Sequence, residues 1–290
     1  MQTTIHAKSD RPTLNLVGAG RVGQTLARLW NQAGVFSIQD VHTRSTTSAQ
    51  EACYGIGAGT PCSQLQAMRQ AQVWMVAVPD AALDACATAL APVASTADAS
   101  ILPSPPIVFH CSGALTAELL APLAASGWRT ASAHCLLSFT NVEAASAQFP
   151  GTPCALEGDR TATAALQTYF GAIGAQCFDM VGSDKLLYHA AAVFATNFIP
   201  VLQATAEDLW EHTGMPPALI AHARGSLLRN AAANLTAVGP RAALTGPAAR
   251  GDLEAITRQH AAVAHWDAGA GSAYAALSDL ALRLAARRAR

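Results

Sequence analysis

Charge is scarce in this sequence, and so are the common signatures of metal and hydrolytic chemistry. Only 13% of the 290 residues are Asp, Glu, Lys or Arg, and the formal net charge is −1. A balance this near neutral excludes a nucleic acid or other polyanion held by bulk charge. Seven cysteines are present but no C-x-x-C pair. Such an odd, unpatterned set fits reduced thiols in a cytoplasm, with Cys111 and Cys135 as buried packing. The nine histidines form no H-x-x-x-H or H-E-x-x-H, so no metal site is expected. G-x-S-x-G is absent, which removes the usual serine hydrolase. The longest apolar stretch, Ala190 to Leu202, is short for a bilayer and carries Asn197 and Pro200. The opening residues, Met1 to Pro12, are polar, lack an apolar signal core and read as a loose tail. The expectation is a cytoplasmic protein with neither a membrane nor a nucleic-acid partner. No internal repeat occurs.

What the sequence does contain is a short apolar run, Leu14 to Val17, that ends in Gly18-Ala19-Gly20-Arg21-Val22-Gly23 and passes into helical spacing. Strand, G-x-G-x-x-G turn and helix in that order form the dinucleotide-binding fingerprint. Gly18 serves the tight turn, Gly20 the close approach of a diphosphate, and Gly23 the contact of helix with sheet. The helix N-terminus then offers free N–H groups to phosphate. A second strand, Phe36 to His42, ends in Thr43-Arg44-Ser45, where an acid would hold the ribose of NAD. A guanidinium and two hydroxyls stand there instead, donors suited to a 2′-phosphate, so the expected cofactor is NADP in preference to NAD.

Further along, Cys53 to Gln72 reads as a weakly patterned helical and turn region, and Val73 to Val78 as a central strand. Its end, Val78-Pro79, is expected to face the cofactor, with Asp80 capping a helix over Ala81 to Leu90. Ala91 to Pro106 reads as a surface loop. Ile107 to Cys111 is a strand ending in Ser112-Gly113, Thr116 to Ala125 is helical, and Trp128 to Ala133 is a strand with His134 at its tip. A further β-α-β pattern runs over Pro153–Leu156, Thr161–Phe170 and Ala175–Met180. From residue 183 the pattern is helical, over about 184–212, 217–236, 253–265 and 270–288. The expected fold is α/β: an N-terminal Rossmann doubly wound, mostly parallel sheet over 1–182, then an all-α domain over 183–290. The arginines of 283–290 read as a solvated helix end.

In the first helix of the second domain, Lys185, His189, Val193 and Asn197 follow one another at i+4 steps, and Pro200 is expected to kink the helix beside Asn197. Polar residues in so apolar a helix suggest a face on a cavity. His189 is the candidate proton donor or acceptor, with Lys185 and Asn197 as its catalytic companions. Leu244 to Asp252 is a Gly/Pro-fixed loop in which Arg250, near a helix N-terminus, suits an anionic group on a small-molecule substrate. Ser112 and His134 are placed at the nicotinamide and substrate end.

The GAGRVG turn, the Thr43-Arg44-Ser45 tip, the VAVPD strand end and HCSGA resemble the Rossmann-like half of a bacterial family. LYHAAAVFATN and LTGPAARGD resemble that family's helical C-terminal domain of unknown function. The architecture is similar to deazaflavin-dependent NADP oxidoreductases, pyrroline-5-carboxylate reductases and the 6-phosphogluconate and β-hydroxyacid dehydrogenases. That resemblance implies an NADP-binding domain, an all-α domain that forms a homodimer, and a site in the cleft between domains. One departure stands out. β-Hydroxyacid dehydrogenases have asparagine four residues after the catalytic lysine, whereas Lys185 is followed there by His189. Pyrroline-5-carboxylate reductases carry a Gly/Thr-rich loop where this chain has Thr245 to Asp252. The expected function is an NADP-dependent oxidoreductase that moves hydride to or from a small carbonyl, imine or hydroxy compound. The alternative is a non-catalytic NADP(H) sensor.

Overall fold

The computed structural model describes residues 11–95, 102 and 104–287, and they divide into two compact units, one ending at Thr196 and the other running Asn197–Arg290. The first unit is an eight-stranded sheet in the order β3-β2-β1-β4-β5-β6-β7-β8. Its strands are β1 (Thr13–Val17), β2 (Ser37–His42), β3 (Thr60–Cys62), β4 (Val73–Val76), β5 (Ile107–His110), β6 (Arg129–Cys135), β7 (Pro153–Gly158) and β8 (Gln176–Asp179). Pairing is parallel except between β6 and β7. Helices α1 (Arg21–Gln32), α2 (Thr46–Ile56), α3 (Asp80–Ser95), α4 (Ala121–Ala124), α5 (Val142–Gln148), α6 (Arg160–Gly171) and α7 (Lys185–Ala192) complete the unit.

Strands β1, β4 and β5 are almost wholly buried, which explains why they read as unbroken apolar runs. One sheet face buries Trp30 of α1, whose ring meets Phe36 and Phe170 edge-on and whose indole N–H donates to the Tyr169 carbonyl at 2.9 Å. The other face packs Trp74 against Trp128 and the Leu83, Ala87 and Leu90 side of α3. Because side chains alternate along a strand, this second face also receives His110, Ser132 and His134. The register sets His110 beside Ser132 and Ser132 beside Glu157, one polar row across β5, β6 and β7.

Several expectations need correction. The weakly patterned region holds the edge strand β3, too short to declare itself by periodicity. Helix α3 runs on to Ser95 through Pro92, into what read as loop; 96–101 and 103, the heart of that expected loop, lie outside the described residues. His134 lies inside β6, not at its tip, because the antiparallel partner β7 extends the strand to Cys135. Asp80 is the first residue of α3 and not its cap; its carboxylate is engaged elsewhere. The Thr116–Ala125 helix is a 3₁₀ turn followed by α4. The loose-tail reading of the first residues falls almost entirely outside the described ones.

In the second unit, α8 (Phe198–His212), α9 (Pro217–Ala243), α10 (Pro247–Arg250), α11 (Leu253–Trp266) and α12 (Ala268–Ala286) are joined by short turns. Asp252 and Asp267 cap α11 and α12 by accepting from Ala255 and Ala270. Helix α9 outruns its expected end at 236 and is broken at Gly239, which precedes Pro240. Between α7 and α8, Val193–Asn197 is a π turn. Pro200 cannot donate to the Thr196 carbonyl and crowds it, and the wider π turn is where the helix absorbs that. The helical stretch Gly182–His212 is long and apolar enough to cross a bilayer by length and composition alone; the apolar run Ala190–Leu202 within it is itself short. Within that stretch Lys185 is buried, whereas residues 198–202 are exposed.

Candidate active site

The turn after β1 opens a cavity of about 640 Å³ lined by Val17, Gly18, Ala19, Gly20, His42, Thr43, Arg44, Ser48, Val78, Pro79 and neighbours on α3. Gly18 has φ +82°, and a β-carbon there would sit 2.6 Å from the Ala77 carbonyl oxygen. Both the backbone conformation and the space demand glycine. At Gly23 a β-carbon would lie 2.8 Å from the Gly18 carbonyl, so the helix packs against its own turn. Gly20 differs: a β-carbon there would meet nothing within 4 Å. The open space beside it is cavity, and α1 begins there with no side-chain cap and no acid in its first turn. Bare backbone, uncapped helix amides and an adjoining cavity of this size fit a nucleotide diphosphate.

At the β2 tip the expected residues separate. Thr43 and Arg44 line the cavity, with Arg44 exposed. Ser45 is diverted: its hydroxyl accepts from Ser48 N at 3.1 Å and donates to Ser48 Oγ, capping α2. Ser48 lines the cavity in its place. The strand's own carboxylate, Asp40, is 3% exposed and held by the Arg69 guanidinium and main-chain N–H, so no acid reaches this end. Arg21 and Val22 lie past the turn; Arg21 points to the Phe139 carbonyl at 3.5 Å and Val22 lines a separate 70 Å³ hollow.

A second cluster forms at the ends of β5 and β6. Ser112 Oγ donates to Asp80 Oδ2 at 2.8 Å and accepts from the Leu115 N–H at 3.0 Å. Lys185, 1% exposed, donates to Ser132 Oγ at 2.6 Å and to the Ser112 carbonyl at 3.1 Å. Burial pulls its ammonium below the usual lysine range, against the pull of Glu157 and Asp80. So placed, Lys185 ties α7 to β5 and β6 and is not offered to a substrate. Lys185→Ala is expected to cost about 2–4 kcal/mol, since it opens a cavity and strands two acceptors, while Lys185→Met recovers part by sparing the ammonium its desolvation. Urea midpoints of the three proteins check this; equal midpoints would contradict it.

Beside Lys185, His110 is fully buried. Its Nε2 donates to the Thr116 carbonyl at 3.0 Å and its Nδ1 accepts from Ser112 N, and burial pushes it down to about 4. His134 and His189 converge on Gly113, where a β-carbon would stand 2.7 Å from His134 Nε2 and 2.5 Å from His189 Nδ1. Their rings are 5.5 Å apart and nearly perpendicular. His189 Nδ1 is buried and makes no hydrogen bond. Asn197 and Arg250 belong to the second unit, Asn197 at the end of the π turn and Arg250 exposed at the end of α10.

Residues 2–135 match the model of a Rossmann-like domain, and residues 152–281 match a domain of unknown function, DUF2520. Together the two matches account for most of the chain, the Rossmann-like match first and the DUF2520 match after it. Among solved structures, a Thermotoga maritima protein is similar at 24% identity and a TM-score of 0.73, over 96% of this chain and 100% of that one. A Bacteroides fragilis protein provisionally designated an NADP oxidoreductase is similar at 20% identity and 0.70, over 95% and 100%. An imine reductase variant from Myxococcus stipitatus, in complex with NAD+, is similar at 16% identity and 0.60, over 97% and 100%. At these identities the likeness establishes the fold alone. No curated protein matches the chain by sequence.

The DUF2520 segment supplies Lys185, Tyr188 and His189, and the Rossmann-like segment supplies Asp80, Ser112, Ser132 and His134, all within the unit ending at Thr196. Sequence reading placed a domain boundary near 182; the compact units divide after Thr196, because α7 packs on the sheet through Lys185 and Tyr188. It also missed Ser132, Tyr188 and Ser48. Ser132 was discoverable, since period two puts it on the His134 face of one strand. Tyr188 has no such signal, because its partner lies 54 residues away.

Proposed function

We propose that this protein is an NADP-dependent oxidoreductase acting on a small carbonyl, imine or hydroxy compound. The observation that carries this reading is the cavity itself: the glycine turn, the β2 tip and the β4 end line one space, with room beside Gly20 and no carboxylate at the tip. Its fold is shared with a Plasmodium falciparum pyrroline carboxylate reductase with NADP bound and with the NAD+-bound imine reductase. When bound, the nicotinamide supplies or accepts hydride. The chain's part is to hold the diphosphate on the Gly18–Gly20 backbone and the 2′-phosphate at Arg44, Thr43 and Ser48. His189 gives or takes the proton, with its unpartnered Nδ1 and His134 Nε2 at the same spot. Asn197 and Arg250 are proposed as substrate-orienting and anion-recognising groups.

Calorimetry with NADPH tests the base of this reading: saturable heat is expected, and its absence overturns it. NADPH is expected to bind more tightly than NADH by about 1.5–3 kcal/mol, and Arg44→Ala to erase most of the difference. Equal affinity of the wild type for both nucleotides would remove Arg44 from the role. The sequestered Lys185 favours the alternative, an NADP(H) sensor, over a lysine-dependent dehydrogenase. A sensor would bind nucleotide and turn over nothing in a panel of ketones, imines and hydroxy acids.

The partner we propose for the second unit is a second copy of this chain. Among its described residues only Ile220, Ala248 and Gly271 are buried, while Val201, Leu227 and Val238 are more than half exposed. Helices this bare do not bury enough apolar surface to be stable alone, and obligate pairing is the common remedy. A dimer in light scattering at micromolar concentration is expected. A monomer that partitions into phosphatidylcholine vesicles would mean that lipid, not a second copy, covers Gly182–His212.

A further inference from the structure

Two hydrogen bonds tie Tyr188 to a single histidine. His134 Nδ1 lies 3.1 Å from the Tyr188 hydroxyl, and that hydroxyl donates to the main-chain carbonyl of His134 at 3.3 Å. A phenol has one proton to give. Spent on the carbonyl, that proton leaves the phenol oxygen an acceptor toward the ring, which requires the hydrogen on His134 Nδ1 and a lone pair on Nε2; spent on Nδ1, it requires the reverse tautomer. In the first case the Nε2 lone pair faces the bare Cα of Gly113, as does the unpartnered Nδ1 of His189. Any side chain at position 113 would fill the gap that both nitrogens share.

We propose that Tyr188 is a positioning residue that fixes the Nδ1–H tautomer of His134, so that His134 Nε2 and His189 Nδ1 act across Gly113 as one acid–base pair holding a single proton. The destination of that proton rests on the oxidoreductase reading above. In the reducing direction, with reduced nicotinamide nucleotide as reductant, the carbonyl carbon gains hydride and the C=O π bond breaks. The proton on the pair then moves to the oxygen, and water restores it. In the oxidising direction the pair, empty of its proton, takes the hydroxyl proton while the carbon passes its hydride to oxidised nicotinamide nucleotide and the C=O π bond forms.

The surroundings disfavour charge on His134. His134 is pushed down to about 4, first by burial and then by His189 and Lys185, against the pull of Asp80. The other groups packed on this end are His110 on β5, itself buried and pushed down, Glu157 on β7, bonded to Ala117 N, and Tyr188, whose hydroxyl burial raises. A second proton would put two imidazolium rings beside a buried ammonium.

Long-range proton–nitrogen NMR of the full chain labelled with ¹⁵N-histidine tests this without any nucleotide. In the wild type at pH 8, His134 is expected as the pure Nδ1–H tautomer. Tyr188→Phe, which keeps the ring and removes the hydroxyl, is expected to give a mixture of tautomers. His189→Asn is expected to raise the His134 midpoint from about 4 toward 6.5. An Nε2–H tautomer in the wild type overturns the proposal, as does an unchanged tautomer in Tyr188→Phe or a midpoint indifferent to His189→Asn. Should Tyr188→Phe fail to fold, the other two arms still decide. A failure to bind NADPH with these spectra as expected would sink the oxidoreductase reading and leave the pair standing.

Discussion

His189→Ala is expected to lower turnover by about 10²–10⁴-fold while leaving NADPH affinity unchanged. That range is what a positioned proton donor or acceptor contributes. The two effects separate because the cavity at the glycine turn is lined by residues between Val17 and Cys86, while His189 sits on α7 beside Gly113. The measurement is steady-state turnover on whichever ketone, imine or hydroxy acid the wild type accepts, paired with calorimetry of NADPH. Equal loss of turnover and binding would mean that the ring supports the fold and not the chemistry. His134 does not substitute for it, since one imidazole of the pair cannot both hold and relay the proton. His134→Ala is accordingly expected to fall in the same direction.

Acidification from pH 6.5 to 4 is expected to weaken the first unit by on the order of 3 kcal/mol through His110 alone. The sign follows from proton uptake. In the unfolded chain His110 titrates at its ordinary 6.5, and in the fold burial holds it down to about 4. Between those values the unfolded state binds a proton that the native state refuses. Stability is therefore fully present above 6.5 and is lost as the pH falls through the window. Coupling to the fold is direct, because the neutral ring accepts from Ser112 N and donates to the Thr116 carbonyl, and a charged ring could not accept. His134, partly exposed and lowered in the same direction, adds a smaller share. Urea midpoints at pH 7, 5.5 and 4 read the effect, and His110→Gln should flatten the slope. A slope unchanged in that variant would assign the loss to other groups.

Much of the cavity lining was readable because its parts are local. The glycine turn, Thr43-Arg44 and Val78-Pro79 each lie at the end of a strand, and a parallel sheet brings strand ends to one edge. Ser45 was misread for a reason just as local: its hydroxyl had a nearer use, capping α2. Lys185 and His189 were found by spacing on one helix, but spacing says nothing of which residue meets water. The structure buries the lysine and leaves an unpaired nitrogen on the histidine. The cysteines looked scattered in sequence, yet Cys135 and Cys154 are cross-strand neighbours 3.4 Å apart at sulfur, because β7 runs back beside β6.

By itself the sequence determined the alternation of strands and helices, the glycine turn after β1 and the shift to helices after residue 182. Those follow from side-chain periodicity and from glycine at a position where no other residue fits. The tertiary structure alone decided that β7 reverses direction, that α7 belongs with the sheet, and that Tyr188, His134, His189 and Gly113 meet. Each of these depends on contacts between residues far apart in the chain, where local preference carries no information and packing and hydrogen bonding choose the partner.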